Sequence, residues 1–256
     1  MPAISLTELL MMLSLGAALG FFGGLFGIGG GIICIPLLVL GFGLDQAMAQ
    51  GTALVLMVPN LLIAWLRYSQ RHPVAWQTAL QIGLLASITT WLVAHVATRL
   101  PTDLMRTIFS VFLLLLSLRI LVGSGNDSDA RVRKPRDLRY MPLVGIVGGS
   151  SMGLLGIGGG LVATPLFNGW FGQRQTVAQS LSLALVAPSS IIALLTYSGA
   201  HRVDWSMGLP MAAGGLFTVS AGVAVAHRLP ERRMRMAFAW MLLATAGWML
   251  LKPLLD

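Results

Sequence analysis

The stretch GAALGFFGGLFGIGGGIICIP, residues 16–36, carries no charge, and eight of its 21 residues are glycine. Gly16, Gly20 and Gly24 stand four apart, as do Gly23, Gly27 and Gly31. That spacing suits close helix contact in lipid, where van der Waals packing rather than hydrophobicity drives association. The three consecutive glycines Gly29, Gly30 and Gly31 are different. Each costs a helix roughly 1 kcal/mol relative to alanine, and broken backbone at membrane depth persists only when buried in protein or lining water. The stretch therefore predicts two helical arms joined by a glycine tip. The second arm, from about Ile32, begins with unpaired amides whose partial positive charge attracts an anion.

The same text returns later in the chain. A shift of 129 residues carries Gly27, Gly29 to Gly31 and Pro36 onto Gly156, Gly158, Gly159, Gly160 and Pro165. It continues without a gap: Gln50 meets Gln179, Pro59 meets Pro188, Tyr68 meets Tyr197, His72 meets His201, Trp76 meets Trp205, and Met105–Arg106 meet Met234–Arg235. The chain reads as two copies of one membrane module, 1–122 and 141–256, joined by the polar linker 123–140. A repeat this long is no solenoid and fits the duplicated halves of a transporter.

Composition agrees with a chain dissolved in lipid. Of its 256 residues, 56% are hydrophobic and 10% charged, with mean hydropathy +0.81, whereas soluble domains are about 25% charged. Charge-free windows place spans near 47–66, 77–98, 103–122, 176–197, 206–227 and 233–251, each long enough for a hydrocarbon core roughly 30 Å thick. The stretches 5–42 and 141–171 are too long and too broken for one helix each. The amino terminus lacks the basic flank of a secretory signal, so its apolar stretch is expected in the mature protein. The net charge of +8 fits retention of basic residues on the cytoplasmic side, and no basic–aromatic pattern points to nucleic acid.

Charge also bears on orientation. With the linker inside and each broken stretch crossing once, 10 Lys and Arg lie inside and 7 outside. If each broken stretch dips in and returns, the second half is upside down, and 13 lie inside and 4 outside. The positive-inside bias favours the second arrangement, with both termini outside.

Gln179, Ser182, Ser189 and Ser190 share a stripe on their helix, and Gln50, Ala53 and Asn60 hold the equivalent places in the first copy. Both stripes are candidates to line one cavity, or to bond between helices. Pro59 and Pro188, in mid-span, each free a carbonyl. All nine carboxylates fall at span ends or in loops, so no intramembrane proton or sodium carboxylate is visible. Enzyme readings find no support: Ser150 and Ser151 lack a serine-protease pattern, no intramembrane aspartate pair exists, and the single Cys34 with scattered histidines suggests no metal. The glycines miss the dinucleotide fingerprint, whose last position is Ile32. No cofactor is implied.

The duplicated GIGGG with proline five residues after its last glycine, in 20–36 and 149–165, resembles the sulfite exporter TauE/SafE family of bacterial membrane permeases. The resemblance covers essentially the whole chain. It implies transport of small sulfur-containing anions, such as sulfite or organosulfonates, across the bacterial inner membrane. It places the family motifs on Gly27, Gly29 to Gly31, Pro36, Gly156, Gly158 to Gly160 and Pro165. The expected fold is an all-α polytopic membrane protein of two inverted halves, each a re-entrant hairpin plus three transmembrane helices. The expected function is anion export by alternating access, with two tips meeting near the bilayer centre, helped by Gln50, Asn60, Gln179, Ser182 and Ser189. Ala53 stands where the second copy has Ser182, so the half-sites differ. A passive anion channel and a non-transporting membrane partner protein are the alternatives; a homo-oligomer is left open.

Overall fold

The computed structural model describes residues 5–26, 30–71, 74–123, 137–157, 159–226 and 231–255. Ten α-helices run through them: α1 (Leu6–Phe26), α2 (Gly31–Gly41), α3 (Gln46–Arg71), α4 (Trp76–Ala97), α5 (Thr102–Gly123), α6 (Leu143–Leu155), α7 (Gly160–Phe171), α8 (Gln175–Gly199), α9 (Trp205–Ala226) and α10 (Glu231–Leu255). A single 3-10 turn, Leu138–Tyr140, precedes α6. The repeat is visible in the boundaries. Adding 129 to both ends of α4 reproduces α9, and adding it to the starts of α2, α3 and α5 reproduces those of α7, α8 and α10.

The carboxylates at span ends have a local reason. Ser5 and Glu8 form a reciprocal cap on α1: the Glu8 amide donates to Ser5 Oγ (3.2 Å) and the Ser5 amide to Glu8 Oε2 (2.9 Å). Asp45 accepts from the Met48 amide at the start of α3 (2.9 Å). Asp204 does the same for Ser206 and Met207 at the start of α9.

Among the described residues five helices are long and apolar enough to cross a membrane: Leu6–Leu25, Gln46–Leu66, Trp76–Ala97, Thr102–Val122 and Thr176–Gly199. The expected spans near 206–227 and 233–251 are helical as α9 and α10, and Met236–Leu251 of α10 is a shorter apolar helix among the described residues. Conversely, α1, expected as one arm of a broken stretch, is itself long enough to cross.

Across the window of each helix, 67% of α3 and 61% of α8 is buried, against 28–33% for α1, α4 and α5. The first pair is the centre of the molecule. Packing is exchanged between the sequence halves: α1 lies on α9, α6 on α4, α3 on α8 and α5 on α10. The first two seams are glycine-lined. A Cβ at Gly16 or Gly20 would overlap the backbone of Met211 or Gly215, and one at Gly145 or Gly153 would lie 2.7 Å from the carbonyl of Ile82 or Thr90. The spacing of four read from the sequence as a packing surface thus becomes two close seams. Thr90 Oγ1 donates to the Gly149 carbonyl (2.9 Å) across one of them.

These contacts fix relative directions. Gly16 and Gly20 face Met211 and Gly215, so α1 and α9 run the same way. Gly145 and Gly153 face Ile82 and Thr90, so α6 and α4 also run together. The start of α3, at Asp45 and Gly51, lies against Arg202 just past the end of α8, so α3 and α8 run in opposite directions.

Candidate functional site

Each broken stretch turns back on itself where the sequence places its glycines. Gly30 has φ 85°, a left-handed conformation that a side chain rarely adopts, and precedes α2 with no side-chain cap. A Cβ there would lie 3.0 Å from the Leu19 carbonyl, about two-thirds of the way along α1, and 3.6 Å from Leu56 of α3. The second tip puts its left-handed glycine elsewhere: Gly156 ends α6 at φ 62°, whereas Gly159, the counterpart of Gly30, opens α7 at φ −52° without a side-chain cap, against the Gly148 backbone. Both Gly30 and Gly159 are buried. The first amides of α2 and α7 therefore begin inside the protein, where a helix start carries partial positive charge.

The second tip rests on both central helices. A Cβ at Gly156 would meet Gln50 Cβ at 3.0 Å, and one at Gly160 would meet Val186 at 3.6 Å and Ser182 at 3.8 Å. Around it lies a buried polar cluster. The Tyr197 phenol, fully buried near the end of α8, stands 2.9 Å from Gln50 Oε1 and 3.1 Å from the Gly153 carbonyl. One phenolic proton serves both acceptors. Among the described residues Gln50 Nε2 has no partner, nor has either amide atom of Gln46, one turn earlier, or of Asn60. All three side chains are at most 6% exposed. Thr164 Oγ1 of α7 donates to Ser182 Oγ (2.8 Å), tying the second arm to α8. Buried amides without partners are uncommon in folded proteins; here all three lie on α3, and Gln50 is the one that touches the second tip.

A repeated pair of glycine-tipped hairpins on a polar central helix pair can be set against known proteins. The family described as Sulfite exporter TauE/SafE matches residues 12–249. The chain belongs to that family. It is 24% identical over 257 residues to a probable membrane transporter protein of Methanocaldococcus jannaschii, covering 94% of this chain and 95% of that one. It is equally identical to a probable membrane transporter protein of Haemophilus influenzae over 268 residues, covering 96% and 99%, and to one of Bacillus subtilis over 249 residues, covering 88% and 91%. No solved structure matches the chain. This TauE/SafE protein is thus an all-helical multi-pass membrane protein of a transporter family.

Of the glycines read as tips in this TauE/SafE chain, Gly30, Gly31, Gly156, Gly159 and Gly160 take the positions just described, while Gly27, Gly29 and Gly158 lie outside the described residues. The contacts of the described tip residues include α3, at Leu56, Met57 and Gln50, and α8, at Ser182 and Val186. Gln50 and Ser182 stand at the second tip. Asn60 is buried on α3, and Gln179 is half-buried near the start of α8. Ser189 donates to the Leu185 and Val186 carbonyls and Ser190 to that of Ala187, so these hydroxyls turn back on α8. Pro36, Pro59, Pro165 and Pro188 all sit inside continuous helices. Among the described residues no group of His, Cys, Asp and Glu gathers as a metal site.

Three residues were missed in the sequence. Gln46 matches Gln175 across the repeat, as Gln50 matches Gln179, and that four-residue glutamine pair was a readable signal. Tyr197 was matched to Tyr68 as a mark of duplication, but its partner lies 147 positions away, beyond any local pattern. Thr164 is one residue before Pro165 and was hidden by it.

Proposed function

We propose that this chain carries small sulfur-containing anions, such as sulfite or an organosulfonate, out across the bacterial inner membrane by alternating access around the hairpin tips and the α3–α8 pair. The carrying observation is the second tip, where backbone beginning at Gly156 meets the buried, partly unpaired Gln50 amide and Ser182. An oxyanion accepts hydrogen bonds and donates few. Helix-start amides of α2 and α7, the Gln50 and Asn60 amides, Gln179 and the Ser182 hydroxyl supply donors without a fixed countercharge. Gly29, Gly30, Gly31, Gly158, Gly159 and Gly160 leave room for the guest to approach the backbone. The unpaired amides suit a guest that comes and goes.

Inverted halves and re-entrant hairpins belong to the same reading. Asp45 precedes α3 and Arg202 follows α8, yet they pair at 3.1 Å. With every broken stretch crossing once, these two residues would stand on opposite sides; with both stretches returning, they share the outer side. A cavity of about 410 Å³ joins Asp137 and Tyr140, before α6, to Trp170 and Phe171, at the end of α7, which also supports a hairpin returning to its own side. The arrangement puts the linker 123–140 in the cytoplasm and both termini outside. Export then needs no intramembrane carboxylate, because an inside-negative potential favours outward movement of one negative charge by about 2.3 kcal/mol per 100 mV.

The test is sulfite and sulfoacetate flux in proteoliposomes under an imposed potential. Gly30→Val and Gly159→Val should each abolish saturable flux while the protein still inserts and elutes as a single species. Wild-type flux in both variants removes the tips from the mechanism.

A further inference from the structure

We propose that the outer seam between α4 and α8 binds an anionic phospholipid, with its phosphate at Arg99 and an acyl chain along α4. A cavity of about 640 Å³ lies at the ends of these two helices, lined by Trp91, His95, Arg99, Leu195, Thr196 and Arg202 among others. Its two ends differ in character. Arg99 is exposed and makes no ion pair among the described residues, whereas Arg202 is held by Asp45 at 3.1 Å. Arg99 is therefore the cation without an ion pair among the described residues, while Arg202 has Asp45 as its partner and Asp204 two residues on. His95 donates from Nδ1 to the Trp91 carbonyl (3.0 Å), with its ring 4.7 Å from that of Trp91. Its other ring nitrogen is left for the cleft.

Below this head the walls are apolar. Leu80, Leu84, Ile88 and Trp91 are each about half exposed and recur every three or four residues, which puts them on one face of α4 in line with His95 and Arg99. Leu195 and Ile191 of α8 are exposed beside them. From Leu80 to Trp91 this stripe is roughly 16 Å long, about the depth of one leaflet of the hydrocarbon core. A second cavity, of about 530 Å³, continues the same seam past Leu84, Leu80 and Ile191. A charged head over a leaflet-long apolar track complements an anionic lipid, whereas a free inorganic anion gains nothing from the track.

The feature is not a by-product of the fold. The repeat keeps the cation, as Arg228, but puts Ser220 where Trp91 stands and Ala224 where His95 stands. The second copy thus lacks the aromatic at that position, and its histidine stands at His227, directly before Arg228, rather than four residues earlier. The inference rests on the chain being in a membrane and not on what it carries.

The test is native mass spectrometry of the delipidated protein in detergent, titrated with dioleoyl-phosphatidylglycerol, dioleoyl-phosphatidylcholine or glycerol 3-phosphate. We expect one phosphatidylglycerol per chain to bind about five-fold tighter than phosphatidylcholine, the ratio that one basic residue supplies near a charged surface. Arg99→Gln should erase that preference and Arg99→Lys keep it, while Arg119→Gln, an exposed cation on α5, should leave it unchanged. Trp91→Ser should weaken both lipids alike. An unchanged preference in Arg99→Gln, or displacement of the lipid by equimolar glycerol 3-phosphate, would overturn the proposal; the latter would make the cleft a free-anion vestibule.

Discussion

Replacing Tyr197 with phenylalanine removes one oxygen from a fully buried polar contact. The phenol stands 2.9 Å from Gln50 Oε1 and 3.1 Å from the Gly153 carbonyl, linking α8, α3 and the end of α6. Without it, Gln50, fully buried with Nε2 already unpaired, keeps no side-chain partner. Orphaning a buried group in a soluble protein costs about 1–3 kcal/mol, but interhelical bonds in membrane proteins average about 0.6 and reach about 1.7 kcal/mol, since the unfolded chain in lipid also finds partners. The second scale applies here, and two acceptors losing one donor put the variant near its upper end, about 1.5 kcal/mol. At about 2–4 °C per kcal/mol for a chain of this size, thermal unfolding in mild detergent should fall by about 3–6 °C. Gln50→Leu removes the other partner, and the double variant Tyr197→Phe with Gln50→Leu should be no less stable than Tyr197→Phe alone, because the orphaned amide is gone. A Tyr197→Phe midpoint within about 1 °C of wild type, or additive losses in the double variant, would refute the reasoning.

Gly153→Ala should destabilise by about 1–2 kcal/mol, since its Cβ would press within 2.7 Å of the Thr90 carbonyl. Gly247→Ala, with nothing within 4 Å, should be neutral or gain up to about 1 kcal/mol from helix propensity, both read by thermal unfolding. Gly156→Ala should cost about 1–2 kcal/mol, from its left-handed φ of 62° and the nearby Gln50 Cβ, and its unfolding midpoint should fall accordingly. Asp45→Ala loses both the cap on Met48 and the pair with Arg202, about 1 kcal/mol from the cap and little from a pair about one-third exposed. Arg202→Gln, which keeps the cap, should therefore cost clearly less, and equal losses in denaturant titrations would discredit the capping role. Thiol labelling from either face should find a cysteine at position 2 outside and one at position 130 inside; a shared compartment would exclude the inverted halves.

The residues themselves fixed the list of helices and their duplication. Charge-free windows located α3, α4, α5, α8, α9 and α10 to within a few residues, because an unpaired charge in hydrocarbon is costly wherever the helix stands. The consecutive glycines Gly29 to Gly31 and Gly158 to Gly160 marked the breaks, because bare backbone breaks a helix locally. The order of the helices in space was not legible. A side chain facing lipid and one facing another helix are equally apolar, so hydropathy cannot separate buried α3 and α8 from the lipid-facing α4 and α5; only packing does. Periodicity put Gln50 and Asn60 on one face of α3, but it could not bring Tyr197 from 147 positions away to Gln50, nor turn Ser189 back onto its own helix. Those outcomes depend on which backbones approach closely, and the glycine seams of α1 with α9 and of α6 with α4 decide it by exchanging helices between the two halves.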